Sequence, residues 1–179
     1  NPRRIQMQRA LVEVGRSSES GIQVRPARAD DLPVIARILN EVSWLEHLDS
    51  EPASVTLVRL RSHLQISQAD DSHTVLCAEA PKRGVVGYLQ VHCMASLCSP
   101  AVEGFVSDLF VSEESRGCGI ASRLLDVAME LARIRGACRL SLNNGRNWES
   151  YRQGFYSRRG WTERENFANF VYWLNTHGP

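Results

Sequence analysis

The spacing of apolar residues changes period several times along this chain. Residues 22–25 alternate as a strand does, and Pro26 closes the run. Asp30 and Asp31 then precede Leu32, Val34, Ile35, Ile38 and Leu39. That is helical spacing, with acidic residues in the first turn where they suit the helix dipole. A second helical stretch covers residues 55–66. Residues 74–80 and 85–93 read as two strands joined by the turn Pro81-Lys82-Arg83-Gly84, and residues 101–111 as another. Ile120, Leu124, Leu125, Ala128, Leu131 and Ala132 mark an amphipathic helix that Gly136 ends. A short strand at residues 139–142, a helix through Trp148, Tyr151, Arg152 and Phe155, and a last strand at residues 170–174 complete the pattern.

The predicted order is β-α-α-β-β-β-α-β-α-β. Hairpins come first, and a strand-helix-strand crossover follows, which implies one parallel pair. The expected fold class is mixed α/β. A central, mostly antiparallel sheet of six to seven strands would carry helices on both faces. Residues 1–20 read as a separate N-terminal extension. Residues 5–14 have the pattern expected of a short helix, and Ser17-Ser18-Glu19-Ser20-Gly21 reads as a linker to a domain at residues 21–179.

Composition narrows the function. At 179 residues one domain is expected, and a net charge of +1 argues against a strongly cationic nucleic-acid binder. Lys82 is the only lysine among 21 basic residues, and Arg83 follows it. A P-loop needs Gly-Lys-Ser/Thr, and a pyridoxal enzyme needs a buried lysine, so both classes fall away. Five cysteines without a Cys-x-x-Cys pair, and no His-x-x-x-His pair, suggest neither a disulfide framework nor a metal site. A reduced, cytoplasmic protein without a metal is expected. No apolar run approaches the roughly 20 residues of a membrane span.

The densest chemistry is Val111-Ser112-Glu113-Glu114-Ser115-Arg116-Gly117-Cys118-Gly119-Ile120-Ala121-Ser122. A strand ends, a glycine turn follows and a helix begins. Amides at a helix start have no intrahelical acceptor, so this is a pyrophosphate site in form. As a dinucleotide fingerprint it fails, because Ser122 stands where the third glycine would be. Cys118, at a helix start, is a candidate reactive thiol, or simply a variable turn residue.

Arg116-x-x-Gly119-x-Ala121, straight after Asp108-Leu109-Phe110-Val111, resembles the pyrophosphate motif of the GNAT superfamily of acyl-CoA-dependent N-acyltransferases. Phe155-Tyr156-Ser157-Arg158-Arg159-Gly160-Trp161 is similar to that family's later Phe-Tyr-x-x-x-Gly-Phe segment, with Trp for the last Phe. The likeness spans residues 22–174, and within the family it is loosely nearest small-amine, diamine-type acetyltransferases.

The resemblance implies acetyl-CoA as acyl donor, in a cleft between two splayed parallel strands that end near Val111 and Leu142. Leu109, Phe110 and Val111 would pair with the pantetheine amides. A backbone N–H near Leu109 would polarise the thioester carbonyl. Arg116, Gly117, Cys118, Gly119, Ile120, Ala121 and Ser122 would hold the pyrophosphate. Tyr156 matches the family tyrosine beside the CoA sulfur. The acceptor amine must lose a proton, and Asp108 or Glu103 is the candidate base. Their opposite strand parity argues that only one faces the cleft. Relatives often carry two acids here, whereas this chain has Ser107 at the first position. Relatives also often place an asparagine seven residues before the tyrosine, but here that residue is Glu149. Asn143, Asn144 or Asn147 would substitute, with Asn147 the nearest. Trp44, Glu46, His47 and Asp49, with Glu163, Glu165 and Asn166, are candidates for an acidic acceptor rim, but a solvated acidic loop explains the same residues and is the preferred reading.

The implied activity is transfer of an acetyl group to a primary amine of a small molecule or a protein. Neither a nucleic acid nor a membrane partner is expected, and a homodimer is common in such families. The alternative is a catalytically silent CoA-binding sensor or structural subunit on the same fold.

Overall fold

The computed structural model describes residues 21–42, 51–69, 72–172 and 174. The predicted helix at residues 5–14 and the loop bearing Trp44, Glu46, His47 and Asp49 lie outside the described residues. The chain divides into two compact units, Asn1–Leu142 and Asn143–Pro179.

In the first unit the order is β1 (Gln23–Pro26), α1 (Leu32–Asn40), α2 (Ala53–Ala69), β2 (His73–Ala80), β3 (Gly84–Met94), β4 (Val102–Val111), α3 (Ile120–Ile134) and β5 (Ala137–Leu142). The strands form one sheet in the order β1-β2-β3-β4-β5. Neighbours from β1 to β4 are antiparallel, and β4 and β5 are parallel, as the crossover through α3 requires.

The strand count is a correction: the described residues form five strands, not six to seven. The predicted strand at residues 170–174 does not form among its described residues. Phe170, Val171, Tyr172 and Leu174 are all exposed. An apolar run becomes a strand only against a partner, and these side chains have no buried face to join. The second unit is correspondingly poor in regular structure. Among its described residues it has a single helical turn, α4 (Glu149–Arg152), and a 3-10 turn at Ser157–Arg159. The predicted helix through Phe155 stops early because Gly154 takes a positive φ of 62°.

Each face of the sheet carries helices. Cys77 and Tyr88 pack in one apolar cluster with Leu32, Ile35, Ile38 and Leu39 of α1 and Leu64 of α2. On β3, Gly87 points to the other side. A Cβ there would come within 3.1 Å of Ile120 of α3 and within 2.9 Å of the Phe110 carbonyl oxygen. Leu124, Leu125 and Leu131 of α3 are fully buried, as the 3.6-residue period predicts.

One irregularity decides the chemistry of β4. Gln90 pairs with Asp108 while Val91 pairs with Val106, so Ser107 is an extra residue, a β-bulge. The bulge reverses the parity of everything beyond it. Met94 pairs with Glu103 and Gln90 with Asp108; these β3 residues are four apart and share a face. Glu103 and Asp108 therefore lie on the same face, which overturns the parity argument.

Candidate active site

β4 and β5 run together only in part. Their pairing begins at Val102 with Ala137 and ends at Val106 with Leu142. Gly104 allows the close approach: a Cβ there would sit 2.6 Å from Leu140 Cδ1. β4 continues from Ser107 to Val111, and β5 offers it no further partner. The β5 side of residues 107–111 is thus a strand edge inside the sheet, able to pair with an extended amide chain.

That edge runs directly into the glycine turn. A 3-10 turn at Glu113–Ser115 is followed by Gly117 and Gly119, with φ of 76° and 81°. The helix ladder of α3 opens with Arg123 N–H donating to the Gly119 carbonyl at 3.0 Å. The amides of Gly119, Ile120 and Ala121 come before it, where a helix leaves donors pointing outward. A Cβ on Gly117 or Gly119 would meet nothing within 4 Å. The glycines are therefore needed for their backbone conformation, and the space over the turn is open to a ligand. Arg116 is exposed, and its guanidinium lies 3.2 Å from Glu113, a partner it can exchange. Cys118 is exposed in the same turn, its thiol 3.7 Å from the Arg116 carbonyl. Gly119→Ala is expected to lower the unfolding free energy by about 1–2 kcal/mol, the cost of a side chain in left-handed backbone. A shift of the urea midpoint at constant slope would measure it.

Asp108 stands on the face toward α1 and α2, two residues from Phe110. Phe110 in turn packs on Tyr88 with ring centroids 5.7 Å apart. No hydrogen bond to the Asp108 carboxylate is seen among the described residues. Burial raises its pKa above the usual carboxylate range, and the nearby His63 offsets this in part. A carboxylate left without donors in a partly dry site is a candidate proton acceptor. Glu103 is differently placed: Arg139 on β5 holds it with a nitrogen 2.6 Å from its carboxylate. Of the two predicted acids, Asp108 alone is spared an ion pair among the described residues.

In the second unit Tyr156 is half-buried between Phe155 and Trp161, at centroid distances of 5.0 and 5.9 Å. Burial raises its pKa, so the phenol stays protonated at neutral pH. It lies past α4, at the start of the 3-10 turn that Gly160 closes with φ of 80°. Asn144 accepts a hydrogen bond from Ser150 at 2.8 Å, so its side chain serves the local turn. Glu149 is held by Arg152 and Gln153. Asn147 is exposed. Glu163 accepts from Arg146 at 2.7 Å and from Tyr151 at 2.8 Å, a surface pairing that suits the solvated-loop reading. Glu165 and Asn166 are exposed. Periodicity and motif did not single out His92, whose ring nitrogen meets Ser107 at the bulge. Only the register of β3 on β4 reveals that contact.

Among curated proteins no relative matches the chain. Solved structures share its fold. A transcriptional regulator from Bacillus halodurans C-125 is 21% identical with a TM-score of 0.71, covering 84% of this chain and 99% of its own. Glucosamine-6-phosphate N-acetyltransferase from Arabidopsis thaliana is 14% identical with a TM-score of 0.69, over 86% and 99%. Ribosomal-protein-alanine N-acetyltransferase from Brucella melitensis biovar Abortus 2308 is 19% identical with a TM-score of 0.64, over 86% and 99%. The model of the acetyltransferase (GNAT) family matches residues 39–161, more than half of the 179. The chain therefore belongs to the GNAT family of acetyltransferases.

Proposed function

We propose that this protein transfers the acetyl group of acetyl-CoA directly to a primary amine of a small molecule or a protein. The observation that carries the reading is Asp108. It is a carboxylate without a hydrogen bond among the described residues, on the strand that outruns its parallel neighbour and leads into the glycine turn.

The residues on the page fit the donor. The free edge of residues 109–111 offers backbone partners for an extended amide chain. The turn from Gly117 to Ser122 offers amides and open space to a pyrophosphate, with Arg116 as a charge that is not lost on deprotonation. Asn147, exposed, is available as a further contact. An amine with a pKa near 10 is almost wholly protonated at pH 7, so the base must act before attack. Asp108 is that base. Tyr156, kept protonated by burial, donates to the departing thiolate. Holding donor and acceptor together supplies much of the rate.

The test is thiol release from acetyl-CoA across a panel of polyamines, amino acids, aminoglycosides and peptide N-termini. Thermal-shift binding of acetyl-CoA serves as the control. Turnover on one class supports the reading. Binding without turnover on any amine supports the silent sensor instead. Tyr156→Phe is expected to lower kcat by at least about tenfold, as for loss of a general acid, with little change in KM for acetyl-CoA. An unchanged kcat removes Tyr156 from the chemistry.

A further inference from the structure

The segment between β4 and α3 is tied to the rest of the first unit near its start. Ser112 N–H donates to the Val86 carbonyl of β3 at 2.9 Å, which extends the ladder past the end of β4. The next amide, of Glu113, donates to Oε2 of Glu41 at 2.7 Å, across 72 positions of chain. Glu41 directly follows α1, and its own N–H donates to the Ile38 carbonyl at 3.3 Å. Its carboxylate therefore stands at the end of a helix whose Ile35, Ile38 and Leu39 are buried in the core. Arg83, in the turn between β2 and β3, adds a longer bond to the Glu114 carbonyl at 3.3 Å.

Among the described residues, the hydrogen bonds that follow are local. Ser115, Arg116 and Cys118 donate their amides to Ser112, Glu113 and Ser115 at 2.9, 3.2 and 3.4 Å. Gly117 and Gly119 then stand in left-handed backbone with open space around them. Glycine has more conformations to lose than any other residue, so this stretch needs outside support to keep one shape. A ligand that requires that shape binds more weakly in proportion to the time the shape is absent.

We propose that Glu41 is a positioning residue for the acyl donor. Its carboxylate, carried by α1, pre-sets the turn from Glu113 to Gly119 in the arrangement that receives a pyrophosphate. This role rests on the donor half of the acetyltransferase reading above. A carboxylate accepting from an amide makes a charge-assisted bond, the stronger kind. The amide it holds is the first of the 3-10 turn Glu113–Ser115, so the bond fixes the direction in which the chain leaves β4. The same Glu113 meets the Arg116 guanidinium through its side chain, at 3.2 Å. Glu41 thus acts on the donor site through the Glu113 amide, from outside the motif that runs from Arg116 to Ala121.

The experiment titrates acetyl-CoA into the full chain by calorimetry, for wild type, Glu41→Ala, Glu41→Asp and Glu41→Gln. Steady-state rates are measured alongside on the best amine of the panel. Glu41→Ala is expected to raise Kd and KM for acetyl-CoA about tenfold, as for loss of a hydrogen bond to a charged group. Its kcat and its KM for the amine stay within about twofold, because the support is spent on binding the donor rather than on the chemical step. Glu41→Asp keeps the charge but withdraws it by a methylene, and weakens the donor as Ala does. Glu41→Gln keeps the accepting oxygen and removes a negative charge from beside an anion site, so it binds the donor as tightly as wild type or more tightly. Amide hydrogen exchange at residues 113–119 quickens in Ala and Asp, stays slow in Gln, and is unchanged in the strands.

Wild-type donor affinity in Glu41→Ala and Glu41→Asp overturns the role of Glu41 while the acetyltransferase reading stands. So does a loss that Glu41→Gln shares, or one that comes with faster exchange throughout the sheet. If Glu41→Ala does not fold, the contrast between Asp and Gln decides. A wild-type chain that binds acetyl-CoA but acetylates no amine overturns the catalytic reading, and the same contrast in Kd still decides on Glu41. A wild-type chain that does not bind acetyl-CoA overturns both.

Discussion

Replacing Asp108 by Asn is expected to lower kcat/KM for the amine about 100-fold while raising the thermal midpoint of the protein. The two effects share one cause. Burial raises the Asp108 pKa, with His63 offsetting part of it, so the fold prefers the neutral carboxyl. A carboxylate in that setting holds a proton better than one in water, as a base for an ammonium must. Losing a positioned base costs about 10²–10⁴ in rate. The stability sign runs the other way. A group with a raised folded pKa contributes stability that is fully present below its unfolded value, about 3.9 for Asp. That contribution is lost as the pH rises through the folded value. At pH 7 the ionised Asp108 is therefore a burden, which the neutral Asn of the same shape removes. The gain in midpoint is expected at neutral pH and absent near pH 3. Calorimetry at the two pH values checks it, alongside the rate profile, in which the acidic limb should vanish. An Asn variant that keeps that limb and its rate excludes Asp108 as the base.

Asp31→Asn is expected to cost about 3 kcal/mol of stability, near the lower end for breaking a buried ion pair. Asp31 is 6% exposed, and both its oxygens accept from Arg25, at 2.7 and 2.8 Å. The Arg28 backbone N–H donates to it at 2.7 Å, fixing the chain where β1 turns into α1. Asn keeps the shape but leaves the Arg25 guanidinium, itself 12% exposed, with the more exposed Glu79 as its one charged partner among the described residues. That remaining partner is why the lower end applies. Burial alone would raise the Asp31 pKa, but the Arg25 and Arg28 hydrogen bonds outweigh it and hold the carboxyl below its usual value. The contribution is therefore present above the unfolded value of about 3.9 and is lost as the pH falls through the folded one. Urea unfolding at pH 7 and pH 3 tests it. The gap between wild type and variant should narrow at the lower pH, and a loss under about 1 kcal/mol at pH 7 would refute the argument. Cys77, packed in the same corner, is pushed up to about 12 by burial and by Asp31, so it is a buried thiol without thiolate character at neutral pH.

Where sequence reading succeeded, the signal was local. The period of Ile120, Leu124, Leu125, Ala128 and Leu131 can be satisfied only by a helix with one buried side, and α3 is that helix. Gly117 and Gly119 stand where a strand-to-helix turn needs positive φ, and both have it. Gly136 ends α3 for the same reason. The crossover through α3 required a parallel pair, and β4 and β5 form it. The failures lay where a neighbour decides. The apolar run at residues 170–174 resembles the interior strands in composition, yet its described residues are exposed and carry no ladder.

The sequence by itself determined the element order as far as β5, the glycine turn and the family, because each depends on backbone preference or on residues close together in the chain. Only the tertiary structure decided which of the two acids is held in an ion pair. Strand parity assumes an unbroken ladder, and Ser107 breaks it. A bulge is a property of two strands in register, so the sequence of β4 alone does not contain it. That single extra residue brings Glu103 and Asp108 to one face, where Arg139 engages the first and leaves the second. It also brings Ser107 to His92, two residues far apart in sequence that only the pairing of β3 with β4 makes neighbours.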